Sequence, residues 1–171
     1  MTTVRKTEPD DYSTFRGWLT TTENVISYTG TDFSWEDFDD SDNPEMSATV
    51  ARHIRSHTMV DDRGTALGLV VAYPNFDYPW VWNLEVFVDP AERSAGRGSE
   101  LLRFAVNDLF NNTFCTVLEG IIAEDNDASL AAFQKFGDVV GRINGYFKRK
   151  ESADVGGIRV ALTKEAWRDH V

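Results

Sequence analysis

One cysteine, Cys115, stands in the 171 residues, so no intrachain disulfide can form. Its place inside the apolar run Phe114 to Leu118 marks it as a buried small hydrophobe rather than a nucleophile. A chain without disulfides suits a reducing, cytoplasmic compartment. No apolar stretch approaches the roughly 20 residues of a membrane span, and Met1 to Lys6 runs into acidic and polar residues without a leader-like segment. Cytoplasmic localisation and no membrane partner are the resulting expectations. Histidine is scarce too. His53 and His57 stand four apart in a segment with helical patterning, but two ligands are too few for a zinc site, and His170 lies at the chain end. No metal is expected.

Positive charge is also in short supply. Lys and Arg number 17 against 28 Asp and Glu, a formal charge of −11, and such a far field repels polyanions. Nucleic acid is thereby set aside as a partner. A small anionic ligand is not excluded, because backbone dipoles act at contact distance while net charge is screened over roughly 8 to 10 Å. Between Gly17 and Ala51 there is no Lys or Arg at all, while Asp32, Glu36, Asp37, Asp39, Asp40, Asp42 and Glu45 crowd the middle. Runs of this kind are commonly solvated faces. Phe33, Trp35 and Phe38 among the acids keep open a second reading, attraction of a polycation, since aromatic faces with carboxylates suit ammonium groups.

What is present is the composition of an ordinary globular domain, 42% apolar and 26% charged, at a length that suits one domain over residues 1 to 171. Thr3 to Lys6 predicts a short strand. Thr7, Pro9 and Asp10 then predict an N-cap, an early proline and an acidic first turn for a helix carrying Tyr12, Phe15, Trp18 and Leu19. Met46 to His57 resumes a helical pattern. Thr58 to Asp61, Ala66 to Tyr73 and Trp80 to Val88 are rich in β-branched and aromatic residues, separated by turns, and read as an antiparallel meander. Ser99 to Phe110 has a helical stripe of Leu101, Leu102, Ala105 and Leu109, ended by Asn111-Asn112, and Cys115 to Ile122 is the next strand. Asn126 or Asp127 caps a short helix ending at Gly137. Val139 to Lys150 and Ile158 to Leu162 form a final hairpin whose turn contains Gly156-Gly157. The fold class is a mixed α/β sheet.

The chemistry concentrates in one stretch. Val86-Phe87-Val88-Asp89-Pro90 leaves a strand, and Arg93-Ser94-Ala95-Gly96-Arg97-Gly98-Ser99 turns directly into a helix. The first amides of a helix have no intrahelical acceptor and sit at the positive end of its dipole, so they favour a pyrophosphate. Gly96 and Gly98 remove the side chains that would block its approach. The spacing is not that of a nucleotide P-loop, which needs Gly-Lys-Ser/Thr, nor of the dinucleotide motif, which needs glycine where Leu101 stands.

Arg93-x-x-Gly96-x-Gly98 after a strand resembles the hallmark of the GNAT superfamily of N-acetyltransferases, and the flanks Val86 to Pro90 and Ser99 to Leu102 are similar as well. A second block, Asn126 to Gly137, resembles the family's Asn-x-x-Ala/Ser helix ending in Lys/Arg-x-Gly. The order of elements fits from Thr3 to about Leu162 and least well between Gly17 and Ala51, where the family has its substrate loop. The resemblance implies a mostly antiparallel sheet splayed at its fourth and fifth strands and flanked by about four helices. It implies acetyl-CoA as donor, with Val88 pairing the pantetheine arm, the Val86 amide facing the thioester oxygen, and Arg93, Ser94, Ala95, Gly96, Arg97, Gly98 and Ser99 around the pyrophosphate. Asn126, Ser129 and Phe133 complete the implied cofactor set. The implied reaction is direct acetyl transfer to a primary amine, and the net charge of −11 favours a small cationic molecule as acceptor; related enzymes are often homodimers.

Two features depart from the family pattern. Phe133 stands where many members carry a tyrosine acid. Glu85 is the carboxylate nearest the implied thioester, one or two positions later than in many members. Glu85 is the candidate base, and Tyr146, in Asn144-Gly145-Tyr146-Phe147, is the candidate acid or else a core tyrosine with its hydroxyl at the sheet surface. Two alternatives stay open: a non-catalytic acyl-CoA-binding module of the same fold, to which Phe133 points, and acetylation of a protein or peptide.

Overall fold

The computed structural model describes residues 1–30, 54–150 and 152–168. Along these the chain runs β1 (Thr3–Lys6), α1 (Pro9–Trp18), α2 (Thr22–Thr29), β2 (Arg55–Val60), β3 (Ala66–Pro74) and β4 (Val81–Val88). It continues through a 3-10 turn (Pro90–Glu92), α3 (Arg97–Asn112), β5 (Val117–Ala123), α4 (Asp127–Phe133), β6 (Asp138–Phe147), β7 (Val155–Thr163) and α5 (Lys164–Arg168). The acidic stretch from Asp32 to Glu45, its aromatic residues, His53 and His170 lie outside the described residues.

The strands form one sheet of seven in the order β1-β2-β3-β4-β5-β7-β6. Every neighbouring pair is antiparallel except β4 and β5, which the crossover through α3 makes parallel. The meander, the crossover and the closing hairpin are those expected from the sequence. So is the splay. β4 and β5 are paired only where Val81, Trp82 and Asn83 meet Val117, Leu118 and Glu119; beyond that register the two strands part.

Alternation along the strands decides which helix covers which face. Leu84 on β4, Val70 and Ala72 on β3 and Leu118 on β5 face the apolar stripe of α3, where Leu101, Leu102, Ala105, Val106, Leu109 and Phe110 are all buried. At about 1.5–3 kcal/mol for each large side chain fully buried, this layer is the main source of stability. The opposite face carries Leu69, Val71 and Phe87 under Phe15 and Trp18 of α1. Tyr12 does not join that stripe and is half-exposed. The cap of α1 is Glu8 rather than Thr7: Glu8 and Asp11 form a reciprocal capping box. Asp11 is itself buried, held by Arg5 at 2.8 and 2.9 Å and by the Thr58 hydroxyl at 2.9 Å.

Two further expectations are corrected. Arg55 to His57 continues no helix: these residues are strand β2, hydrogen-bonded between β1 and β3, with His57 opposite both Lys6 and Val70. Sheet pairing on both edges outweighs a weak local helical pattern, and His57 stacks edge-on to Phe104 instead of sharing a helical face with His53. Gly156 and Gly157 are not in the hairpin turn but in β7. Close packing explains them: a Cβ on Gly156 would lie 2.7 Å from Glu124 Oε2, and one on Gly157 would lie 2.9 Å from Ile121 and 3.1 Å from Tyr146. Cys115 sits just ahead of β5, fully buried, and burial pushes its thiol up to about 12, which removes it as a nucleophile at neutral pH.

Candidate active site

The loop after β4 is built by local rules. Asp89 caps the 3-10 turn, its carboxylate accepting from the Ala91 amide at 2.9 Å, while its own amide donates to the Leu67 carbonyl of β3 at 2.9 Å. That ties the exit of β4 to the sheet. The chain then reverses through two left-handed residues, Ser94 at φ 68° and Gly96 at φ 80°, and Gly96 becomes the N-cap of α3. Left-handed backbone at a non-glycine residue costs on the order of 1–3 kcal/mol and is found at ligand clamps. Alternating left- and right-handed residues turn successive amides toward one point, a concavity that suits an anion.

The first amide returned to the helix is that of Glu100, which donates to the Gly96 carbonyl at 3.1 Å. The amides of Gly96, Arg97, Gly98 and Ser99 precede it and have no intrahelical acceptor. The space before them is open. A Cβ on Gly96 would meet nothing within 4 Å, and one on Gly98 only Val88 Cγ2 at 3.7 Å. These two glycines keep clear a cradle that larger side chains would fill, so the residues present fit a diphosphate. Lys135, just beyond α4, donates to Ser99 Oγ at 3.2 Å and so sets an ammonium beside the helix start. The sequence reading quoted Lys135 only as part of a motif. Arg97 lies beside Glu92 and Glu100, each at 3.6 Å.

Where β4 and β5 part, a cavity of about 600 Å³ passes through the sheet. On the face covered by α3 and α4 it reaches Asn126, Ser129 and Phe133, and on the α1 face Glu85, Glu119 and Tyr146. Asn126 is a structural joint as well: its side chain accepts from the Ser129 amide at 3.1 Å, capping α4, and donates to the Ser27 carbonyl at the end of α2 at 2.9 Å. Phe133 stacks over Gly120, where a Cβ would come within 2.6 Å of its ring, and packs on Ile122, Ile158 and Val160. A phenyl ring there has no proton to give. Val86 turns its side chain toward the α3 layer.

Glu85 points into this cavity rather than away from it, and accepts a hydrogen bond from the Tyr73 hydroxyl at 2.9 Å. Solvent reaches the carboxylate through the mouth, yet enclosing protein atoms strip enough hydration to raise its pKa above the ordinary carboxylate value; the Tyr73 bond pulls the other way. Burial and the neighbouring Glu85 push Tyr73 strongly upward, so it stays a phenol and a donor. Tyr146 lines the same cavity with its side chain half-exposed, and Gly157 makes the room for it. The sequence reading missed Tyr73 and Glu119. Both are identified only by the sheet register, which sets Tyr73 opposite Asn83 and Asn83 opposite Glu119.

A sheet split beside a strand-loop-helix anion cradle defines an acyl-transfer fold. The chain belongs to the acetyltransferase (GNAT) family, whose model matches residues 18–138, and it is an acyltransferase. A search among curated proteins finds no match by sequence. Among solved structures, the chain is similar to a spermidine N-acetyltransferase from Vibrio cholerae in complex with CoA and spermine, with a TM-score of 0.78 at 15% identity over 98% of each chain. It is also similar to the aminoglycoside acetyltransferase AAC(6')-Ib in complex with coenzyme A, with a TM-score of 0.73 at 16% identity over 99% of this chain and 98% of the other. At such identities the likeness is one of fold.

Proposed function

We propose that this protein is an acetyl-CoA-dependent N-acetyltransferase that moves an acetyl group directly to a primary amine of a small cationic molecule. The observation that carries the reading is the cavity through the split sheet, with the amide cradle nearby and two carboxylates, Glu85 and Glu119, on the α1 face. The amides of Ala95 to Ser99, with Lys135 beside them, would hold the pyrophosphate; the strand edges at Val86 and Val88 would line the pantetheine arm.

Acetyl-CoA supplies a thioester, whose carbonyl carbon takes the amine and whose sulfur leaves. Glu85 takes a proton from the acceptor ammonium, freeing the nitrogen lone pair for attack. A carboxylate with a raised pKa is the better base for this, and general-base help contributes roughly 10² to 10⁴-fold. The Val86 amide of β4 would donate to the carbonyl oxygen as negative charge develops there, a contribution of about 3 kcal/mol. Phe133 cannot return a proton to sulfur, so that role passes to the Tyr146 hydroxyl. Cationic acceptors are favoured because no Lys or Arg among the described residues lines the cavity, while two carboxylates do.

The test is free-thiol release with acetyl-CoA and a panel of monoamines, polyamines and aminoglycosides. No release above background with any of them overturns the reading. Tight calorimetric CoA binding with an inert panel would turn the reading toward a protein or peptide acceptor, checked as a mass shift on a peptide.

A further inference from the structure

We propose that Tyr73 is a positioning residue for this transfer: its hydroxyl, fixed on β3, holds the Glu85 carboxylate turned into the cavity. The inference rests on the acetyl-transfer reading and assigns a residue that reading does not require.

The geometry comes from the register of two antiparallel strands. Tyr73 lies opposite Asn83 and Glu85 opposite Val71, so Tyr73 and Glu85 are diagonal neighbours on one face. Their oxygens are 2.9 Å apart. A glutamate has three freely turning bonds, and holding it in one rotamer costs conformational entropy. A phenol whose ring is carried by a strand paired on both edges supplies that restraint without moving itself.

Among the described residues little else favours a charged Glu85. Among the described residues the other polar groups lining this cavity are Glu119 from β5, Tyr146 from β6, Asn83 from its own strand, Ser27 from α2, and Asn126 and Ser129 at the start of α4. None of these carries positive charge, and Glu119 repels. Burial works against the carboxylate, and the Tyr73 bond is what opposes it. Removing the hydroxyl therefore moves the Glu85 pKa further up. Because the base acts only when ionised, activity then falls away at a higher pH as the solution is acidified.

The experiment compares wild type with Tyr73→Phe, which keeps the ring, and Glu85→Gln, all in the full chain. Glutamate carboxyl carbons are labelled, and the Glu85 resonance is identified as the one missing from Glu85→Gln. Tyr73→Phe should raise the Glu85 titration midpoint by about one pH unit. The acidic limb of kcat/KM for the acetylated amine should rise by the same amount, an approximately tenfold loss below the limb, while the CoA Kd stays within about twofold. An unmoved midpoint in a folded variant refutes the proposal, as does a uniform fall in rate at every pH with the limb in place. The two readings fail separately. A moved midpoint in a protein that acetylates no amine refutes acetyl transfer and leaves the Tyr73 bond standing; an unmoved midpoint in a working enzyme refutes Tyr73 alone.

Discussion

Gly98→Leu separates the cradle from the fold. Gly98 lies in the first turn of α3 with ordinary helical backbone, and a Cβ there meets only Val88 Cγ2 at 3.7 Å, an ordinary contact. Leucine is the better helix former, so stability should change by no more than about 1 kcal/mol, in the stabilising direction. Binding is another matter. The new side chain grows into the open space before the amides, and each charge-assisted bond it displaces removes about 1.5–3 kcal/mol. One lost bond is a roughly 10- to 150-fold rise in the CoA Kd. Gly96→Ala provides the contrast: its surroundings are empty, but φ of 80° is strained for any side chain, so it should lose about 1–2 kcal/mol of stability. Calorimetric CoA titration and thermal melts of both variants decide the matter. A folded Gly98→Leu protein with wild-type CoA affinity would refute the cradle, and with it the position assigned to the cofactor.

Further outcomes follow from other residues. Glu85→Gln should lower kcat by about 10² to 10⁴-fold with CoA affinity unchanged; undiminished turnover would remove Glu85 as base. Gly120→Ala drives a methyl to 2.6 Å from the Phe133 ring, and overpacking of this kind costs about 1–3 kcal/mol, readable as a lowered midpoint in urea. Asp11 has its pKa lowered chiefly by the Arg5 hydrogen bond, so its contribution is present above the ordinary carboxylate value and is lost as pH falls through the lowered one. Asp11→Asn should therefore narrow the stability gap to wild type on acidification, seen in urea melts across that range; a gap independent of pH would contradict the assignment.

Most strands and helices were legible because each carries its own period. The α3 stripe and the short strands of the meander are local patterns, and Gly96 and Gly98 announce a turn whatever surrounds them. The failures share a cause. Arg55 to His57 became strand because two neighbours supply hydrogen bonds that local propensity does not count. Gly156 and Gly157 looked like a turn because close approach of Glu124, Ile121 and Tyr146 leaves no mark in the adjacent sequence. Lys135 reaches Ser99 across 36 positions, and Tyr73 reaches Glu85 across a hairpin.

By itself the sequence determined most of the elements, the glycine turn from β4 into α3 and the family resemblance, because backbone conformation at such turns is set within a few residues. Only the tertiary structure decided that β4 and β5 part after Asn83 and Glu119, and that Tyr73, Glu85 and Tyr146 share one cavity. Register is the physical reason: a shift of one residue in any strand would turn these side chains to the opposite face, and the energy that fixes it is spread over the whole sheet and its buried core.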